Sequence, residues 1–375
     1  MIKTSSIPRS KLPFFSKEEI DLIYHQEKLS DFIGLPFAIE NFEKQMKTKK
    51  KQFTSAHRNT IASVLKDNYE KLSENELALK QIALLKEENT YTVTTGHQLC
   101  LFGGPLYFFI KIIHTIRLSE VLKEHYPDYN FVPIFWMASE DHDSAEIQSL
   151  NIFGKDVTWN HEQEGSVGKF NTQSLTEVKD QLLGLFRSQK GTELDKYLSA
   201  MEGNTYGAAF KSWVHHLFGE MGLLVLDADQ QELKKQMIPL FKKEIFENFS
   251  NECIEKTNQK LLQEKRTRQI YSRKINVFYM EKDRRVRIVE NTSGDYEAGE
   301  ISFSKDELIA LLNEHPNRFS PNVALRPILQ ELLLPNLCYI GGMAELKYWT
   351  QLKAVFESCN LPFPILQLRS NLLWI

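Results

Sequence analysis

The chain has 375 residues, with 46 lysines and arginines against 49 aspartates and glutamates, a formal net charge of −3. With 42% hydrophobic and 25% charged residues it is neither disordered nor fibrous, and it lacks the basic excess that draws proteins to nucleic acid or anionic membranes. No segment approaches the ~20 apolar residues of a membrane span, the N-terminus lacks a secretory apolar stretch, and the four cysteines sit at neither metal-ligand nor redox-motif spacing; a cytoplasmic protein with reduced thiols is expected.

Residues 1–90 are expected to be mostly helical. Ser16 to Glu19 and Ser73 to Glu76 have capping-box spacing, and the basic run Lys47–Lys51 is expected on a solvated helix face. The pattern then changes. A β-prone run, Tyr91–Thr95, leads into a glycine-containing loop, Gly96–Pro105, and an apolar helix from Leu106 to about Lys123. Phe131–Trp136 is a continuous apolar run, the signature of a strand buried on both faces. Further along come a helix at Trp213–Met221, a strand at Leu223–Ala228 and a helix at Gln230–Phe249. After these come a helix at Pro327–Leu334, a strand and turn at Cys338–Gly342, a helix at Ala344–Cys359 and a return to the sheet at Leu361–Leu366.

Alternating buried strands and helices predict an α/β fold, a Rossmann-like doubly wound parallel sheet behind a helical N-terminal region. Two polar segments interrupt it. The expected organisation is a discontinuous core of residues 1–154, 205–250 and 319–375, with a first insertion at 155–204 and a second at 251–318. The first insertion is expected to hold one helix near Leu175–Leu198, and the second paired strands at Ile275–Met280 and Arg284–Val289. The chain ends within the apolar Asn371–Ile375, which points to sequence continuing downstream.

Ligands of doubly wound sheets bind outside the carboxyl ends of the strands, and four polar loops are expected there. In the first, Thr95, Gly96, His97 and Gln98 precede Gly104 and Pro105, a loop able either to bring backbone amides to an anion or to make a tight turn. The second packs Glu140, Asp141, His142 and Asp143 behind an apolar strand. Such a cluster can handle protons or hold a hard metal, or its acids can cap a helix. Asp227–Asp229 and Gly341–Glu345 form the other two loops. In Ser320–Glu331, Arg326 stands just before Pro327, placed for bidentate capture of a carboxylate or phosphate, or for a structural salt bridge.

These segments resemble a known family. Thr95-Gly-His-Gln98, Gly104-Pro-Leu-Tyr107, Pro133 to Asp143, Ser320-Pro-Asn-Val-Ala-Leu-Arg-Pro327 and Gly341 through Trp349 are similar to the hallmark blocks of the bacillithiol biosynthesis cysteine-adding enzymes, cysteine ligases, over nearly the whole chain. The resemblance implies a Rossmann-like core with two connecting-peptide insertions, similar to the core of class I aminoacyl-tRNA synthetases. It also implies a C-terminal coiled coil that makes the full-length form a homodimer. That coiled coil is absent from these 375 residues, and this fragment is expected to be monomeric. The implied reaction adds cysteine to glucosaminyl malate in the last step of bacillithiol synthesis. A free carboxylate is a poor electrophile, so ATP is the expected activating cosubstrate, by an adenylate or an acyl phosphate.

The expected catalytic residues are Asp141, His142 and Asp143. Substrate or nucleotide binding is expected of Thr95, Gly96, His97, Gln98, Gly104, Tyr107, Asn322, Arg326 and Glu345, with no metal ligand assigned. The family more often has glutamine where this chain has His97, so that histidine is not expected to be an obligatory catalyst. A metal-dependent hydrolase built on Glu140–Asp143 and a non-catalytic nucleotide- or thiol-binding module are the competing readings.

Overall fold

A computed structural model describes residues 6–281 and 284–372; Leu373, Trp374 and Ile375 of the apolar C-terminal run lie outside the described residues. Among the described residues twelve strands occur: β1 (Thr90–His97), β2 (Asn130–Met137), β3 (Ser149–Ile152), β4 (Lys155–Thr158), β5 (Leu224–Asp227), β6 (Val277–Met280), β7 (Arg285–Glu290), β8 (Tyr296–Ala298), β9 (Ile301–Phe303), β10 (Phe319–Pro321), β11 (Asn336–Gly341) and β12 (Ile365–Leu368). Five of them form one sheet in the order β12-β11-β1-β2-β5, every pair parallel. Counted along the chain these five take the order 3-2-1-4-5, the doubly wound arrangement whose direction of winding reverses between β1 and β11.

The apolar strand runs follow from burial on both faces. Ile134 and Trp136 of β2 pack with Leu224 and Leu226 of β5 in one cluster, whereas Phe135, Met137 and Val225 join a cluster on the opposite face. The two-residue period of a strand sends alternate side chains to opposite sides, so both sets must be apolar. Pro133, which has no N–H to donate, pairs with Val93 of β1 one residue before the pairing of β2 with β5 begins at Ile134.

The N-terminal region folds into helices Lys17–Tyr24, Ile39–Lys50, Ser55–Tyr69 and Glu76–Leu84. Ser16 and Glu19 form the expected capping box. Ser73 and Glu76 do not: that helix starts at Glu76 behind Asn75, which makes no side-chain cap. The basic run also differs from expectation at one position. Lys49 is only 1% exposed, its Nζ 3.0 Å from the Glu331 carboxylate, because it sits on the inward side of its helix beside Phe42, Gln45 and Met46.

Two expected helices are each broken in two. Leu175–Leu185 and Glu193–Ser199 are separated by Arg187 and Gly191 at φ +50° and +87°, and Thr192 caps the second piece through the Asp195 N–H. Met343–Trp349 and Lys353–Ser358 are separated by a turn that points the buried Gln351 inward, where its Oε1 accepts the N–H groups of Gln269 and Ile270 at 2.8 and 2.9 Å. The hairpin β3–β4 and the helices after it pack with Phe108 and Trp213 on one face of the main sheet. A second, antiparallel sheet runs β10-β6-β7-β8-β9. Its edge strand β10 carries Ser320 and Pro321, so the segment leading to Arg326 is anchored to this second sheet. Among the described residues no helix is long and apolar enough to cross a membrane.

Candidate active site

The loops leaving β1, β2 and β11 meet where the sheet's winding reverses, and a cavity of about 280 Å³ opens there. Gly96, His97 and Gln98 come from the end of β1, Trp136, Glu140 and Asp141 from β2 and its loop, and Tyr339 and Glu345 from β11 and the helix after it. The second sheet supplies the facing wall with Arg285, Pro321 and Asn322, and Arg326 lines the cavity from the helix Arg326–Leu333. At Gly96 an added Cβ would meet the Trp136 carbonyl oxygen at 3.4 Å and the Tyr339 hydroxyl at 3.5 Å, both ordinary contact distances, so space alone does not demand glycine there.

Arg326 defines the electrostatics. Its guanidinium carbon lies 5.8 Å from the Trp136 ring centre and 5.5 Å from that of Tyr339, held by donation to Gln330 Oε1 at 3.0 Å and the Tyr348 hydroxyl at 3.4 Å. Among the described residues no carboxylate lies within ion-pair distance of it, so the structural salt bridge weighed for it is not formed. Arg285 stacks on Phe278 at 4.1 Å and donates to the Pro321 carbonyl at 2.6 Å, with Asp141 3.9 Å away. Two guanidinium groups thus border one cavity, a combination suited to carboxylate or phosphate groups.

The acidic groups diverge. Asp141 Oδ2 accepts from Gln98 at 2.9 Å, and Oδ1 from the His142 N–H at 2.8 Å. Burial would push its carboxyl up, but the Gln98 hydrogen bond, Arg285 and the backbone donors outweigh it and hold Asp141 below the ordinary carboxylate range. Glu140 turns to the fully buried Lys234; burial raises its carboxyl despite that lysine. Glu345 is held by Lys111 at 2.7 Å, the Tyr339 hydroxyl at 2.6 Å and the Gly342 N–H at 2.7 Å. These partners overcome the effect of burial and keep it low. Lys111 also donates to the Gly96 carbonyl, tying the end of β1 to the loop after β11.

Of the expected catalytic trio, Asp141 alone lines the cavity; His142 and Asp143 are exposed, and His142 Nδ1 lies on the rim 3.4 Å from Arg285. Among the expected binding residues, Gly96, His97, Gln98, Asn322, Arg326 and Glu345 line it. Thr95 faces into the sheet, donating to the Ile340 carbonyl at 2.7 Å. Gly104, at φ +56°, packs its backbone against Cys100, where a Cβ would come within 2.7 Å. Tyr107 lies outside the cavity under the guanidinium of Arg369, 4.9 Å from its ring centre. His97 is pushed down to about 4, by burial first and Lys111 second, and is neutral at pH 7. Sequence reasoning missed Lys111 and Arg285. A lone lysine inside Phe108–Ile113 marked the first; nothing in the alternating Arg285-Val-Arg-Ile-Val289 singled out the second.

No group of three His, Cys, Asp or Glu side chains placed to hold a metal ion occurs among the described residues. A parallel 3-2-1-4-5 sheet with a cation-lined cavity at its reversal point defines a Rossmann-like α/β protein. Within that class the chain belongs to the bacillithiol biosynthesis BshC family: residues 6–370 match its N-terminal Rossmann-like domain. Relatives named "Putative cysteine ligase BshC" include proteins of Flavobacterium johnsoniae, 40% identical over 364 residues (96% of this chain, 68% of the relative), and Flavobacterium psychrophilum, 40% identical over 378 (98% and 70%). A more distant one, from Bacillus cereus, is 31% identical over 315 residues, 78% of this chain and 57% of the relative.

Proposed function

We propose that the cavity is the substrate site of an ATP-dependent ligase that joins L-cysteine to glucosaminyl malate, the last step of bacillithiol synthesis. The observation that carries this reading is Arg326, a cavity-lining cation without a carboxylate partner among the described residues. A malyl carboxylate would complete it, with Arg285 on the opposite wall. Asp141 suits an ammonium anchor better than a base, since a carboxylate held low is a weak proton acceptor. In the reaction the cysteine carboxylate attacks a phosphorus of ATP, giving an adenylate with loss of pyrophosphate or an acyl phosphate with loss of ADP. The glucosamine amine then attacks the acyl carbon, loses a proton and expels AMP or phosphate, forming the carbon–nitrogen amide bond. A cavity of about 280 Å³ suits a small polar substrate, so the nucleotide would extend beyond its mouth.

The hydrolase reading requires Glu140, Asp141 and Asp143 to converge; Glu140 and Asp141 both line the cavity, but Glu140 is taken up by Lys234 and Asp143 is exposed to solvent. Deletion of the gene in its host tests the ligase directly: bacillithiol should disappear while glucosaminyl malate accumulates. Unchanged bacillithiol, with no second homologous gene present, would refute the assignment.

A further inference from the structure

Behind the cavity wall lies a chain of buried hydrogen bonds that ends on the first turn of the Arg326 helix. It starts at Glu244, 0% exposed in the helix Gln231–Glu247. Glu244 Oε1 accepts from the Asn276 N–H at 2.9 Å, Asn276 Nδ2 at 3.0 Å and Ser250 Oγ at 2.8 Å, and Oε2 accepts from the Ser250 N–H at 3.2 Å. Asn276 is itself 1% exposed. Its Nδ2 also reaches Ser250 Oγ and the Arg273 carbonyl, at 2.9 and 2.8 Å. With the amino end so committed, Asn276 can present only Oδ1 toward the cavity wall.

That oxygen accepts from Asn322 Nδ2 at 2.7 Å, and the Asn276 carbonyl accepts the Asn322 N–H at 3.0 Å. An amide has one donor end and one acceptor end. Because its donor end is taken by Asn276, Asn322 turns Oδ1 to the N–H groups of Ala324 and Leu325, at 2.9 and 3.2 Å, and its carbonyl receives the Arg326 N–H at 3.0 Å. Flipping Asn322 would set its amino group against two N–H donors. The orientation of Asn276 therefore decides where the helix carrying Arg326 begins.

We infer that Asn276, oriented by Glu244, is a positioning residue that acts through Asn322 to set Arg326 against the substrate anion; this rests on the function proposed above. Neither Asn276 nor Glu244 lines the cavity, and neither is a catalytic residue. Nothing in the sequence pattern marks them, since both partners are far from Arg326 along the chain.

The test is steady-state turnover of cysteine, glucosaminyl malate and ATP by wild type, Asn276→Ala and the isosteric Glu244→Gln. Glu244→Gln carries the test if Asn276→Ala fails to fold. The KM for glucosaminyl malate should rise roughly 10- to 100-fold, as expected for a misplaced binding group, while the KM values for cysteine and ATP stay unchanged. In an Arg326→Met background the same substitutions should add nothing further, because the two sites act as one. A merely structural role predicts the opposite: all three KM values unchanged or moving together, or effects that multiply in the Arg326→Met background. Either result would overturn the inference. Absence of turnover by wild type would overturn the proposed function and the inference with it.

Discussion

Replacing Arg326 with methionine separates a recognition residue from a structural one. Stacking on Trp136 and Tyr339 contributes ~0.5–1 kcal/mol per ring at a partly accessible site. The hydrogen bonds to Gln330 and Tyr348 contribute ~0.5–1.5 kcal/mol each, so about 2–5 kcal/mol is lost. For 375 residues, at ~2.1 cal/mol/K each, the unfolding entropy corresponds to ~0.8 kcal/mol per degree. The melting temperature should therefore fall by roughly 2–6 °C by scanning fluorimetry. The decisive readout is binding. Loss of one partner of a desolvated charge pair costs ~2–5 kcal/mol, so kcat/KM for glucosaminyl malate should drop by roughly 30-fold or more. Had Arg326 been half of an internal ion pair, its removal would cost ~3–5 kcal/mol, or roughly 4–6 °C on the same scale. A shift that large, with kcat/KM retained in the folded fraction, would refute the reasoning.

Asp141→Asn should lower kcat/KM by roughly 10-fold or more with a small melting shift, since it removes a charge-assisted contact of ~1.5–3 kcal/mol, whereas His142→Ala, on the exposed rim, should cost less in the same kinetic assay. Lys49→Met should instead lower the melting temperature by roughly 4–6 °C by stranding Glu331 in the interior, with kcat/KM of the folded protein unchanged. His97 bears on pH dependence. Its folded value of about 4 lies below the unfolded value, so the unfolded chain takes up the proton first as pH falls. The stability it contributes is complete above about pH 6.5, declines between there and pH 4, and is gone below. His97→Gln should flatten that part of the stability–pH curve measured by urea unfolding, and should leave the pH–rate profile between about pH 6 and 8 unmoved.

The parallel sheet was visible in the sequence because both of its faces are covered: Phe131–Trp136 and Leu223–Ala228 are apolar without interruption, a pattern few other environments require. The strand ends followed, and with them Gly96, Gln98, Asp141 and Glu345. The direction a side chain takes after the strand ends was not encoded locally. Asp141, His142 and Asp143 are adjacent in sequence, yet the turn sends the first into the cavity and the other two outward. The facing wall was harder still. Arg285 reaches the site only because β10 pairs with β6 and β6 with β7, a long-range register that no periodicity in Arg285–Val289 reveals. Lys49 misled for a related reason: four of the five residues from Lys47 to Lys51 do face solvent, and the fifth lies on the buried helix face with Phe42, Gln45 and Met46, its charge met by Glu331 far along the chain.

The proposed reaction is amide formation between cysteine and glucosaminyl malate at the cavity bordered by Arg285 and Arg326. Mass spectrometry of the reaction with cysteine, glucosaminyl malate and ATP, each omitted in turn, tests it most directly. The expected product is equal in mass to the two substrates less one water, forms only when all three are present and is lost with Arg326→Met. Hydrolysis of glucosaminyl malate without ATP, or saturable binding of all three compounds with no condensation product, would contradict it.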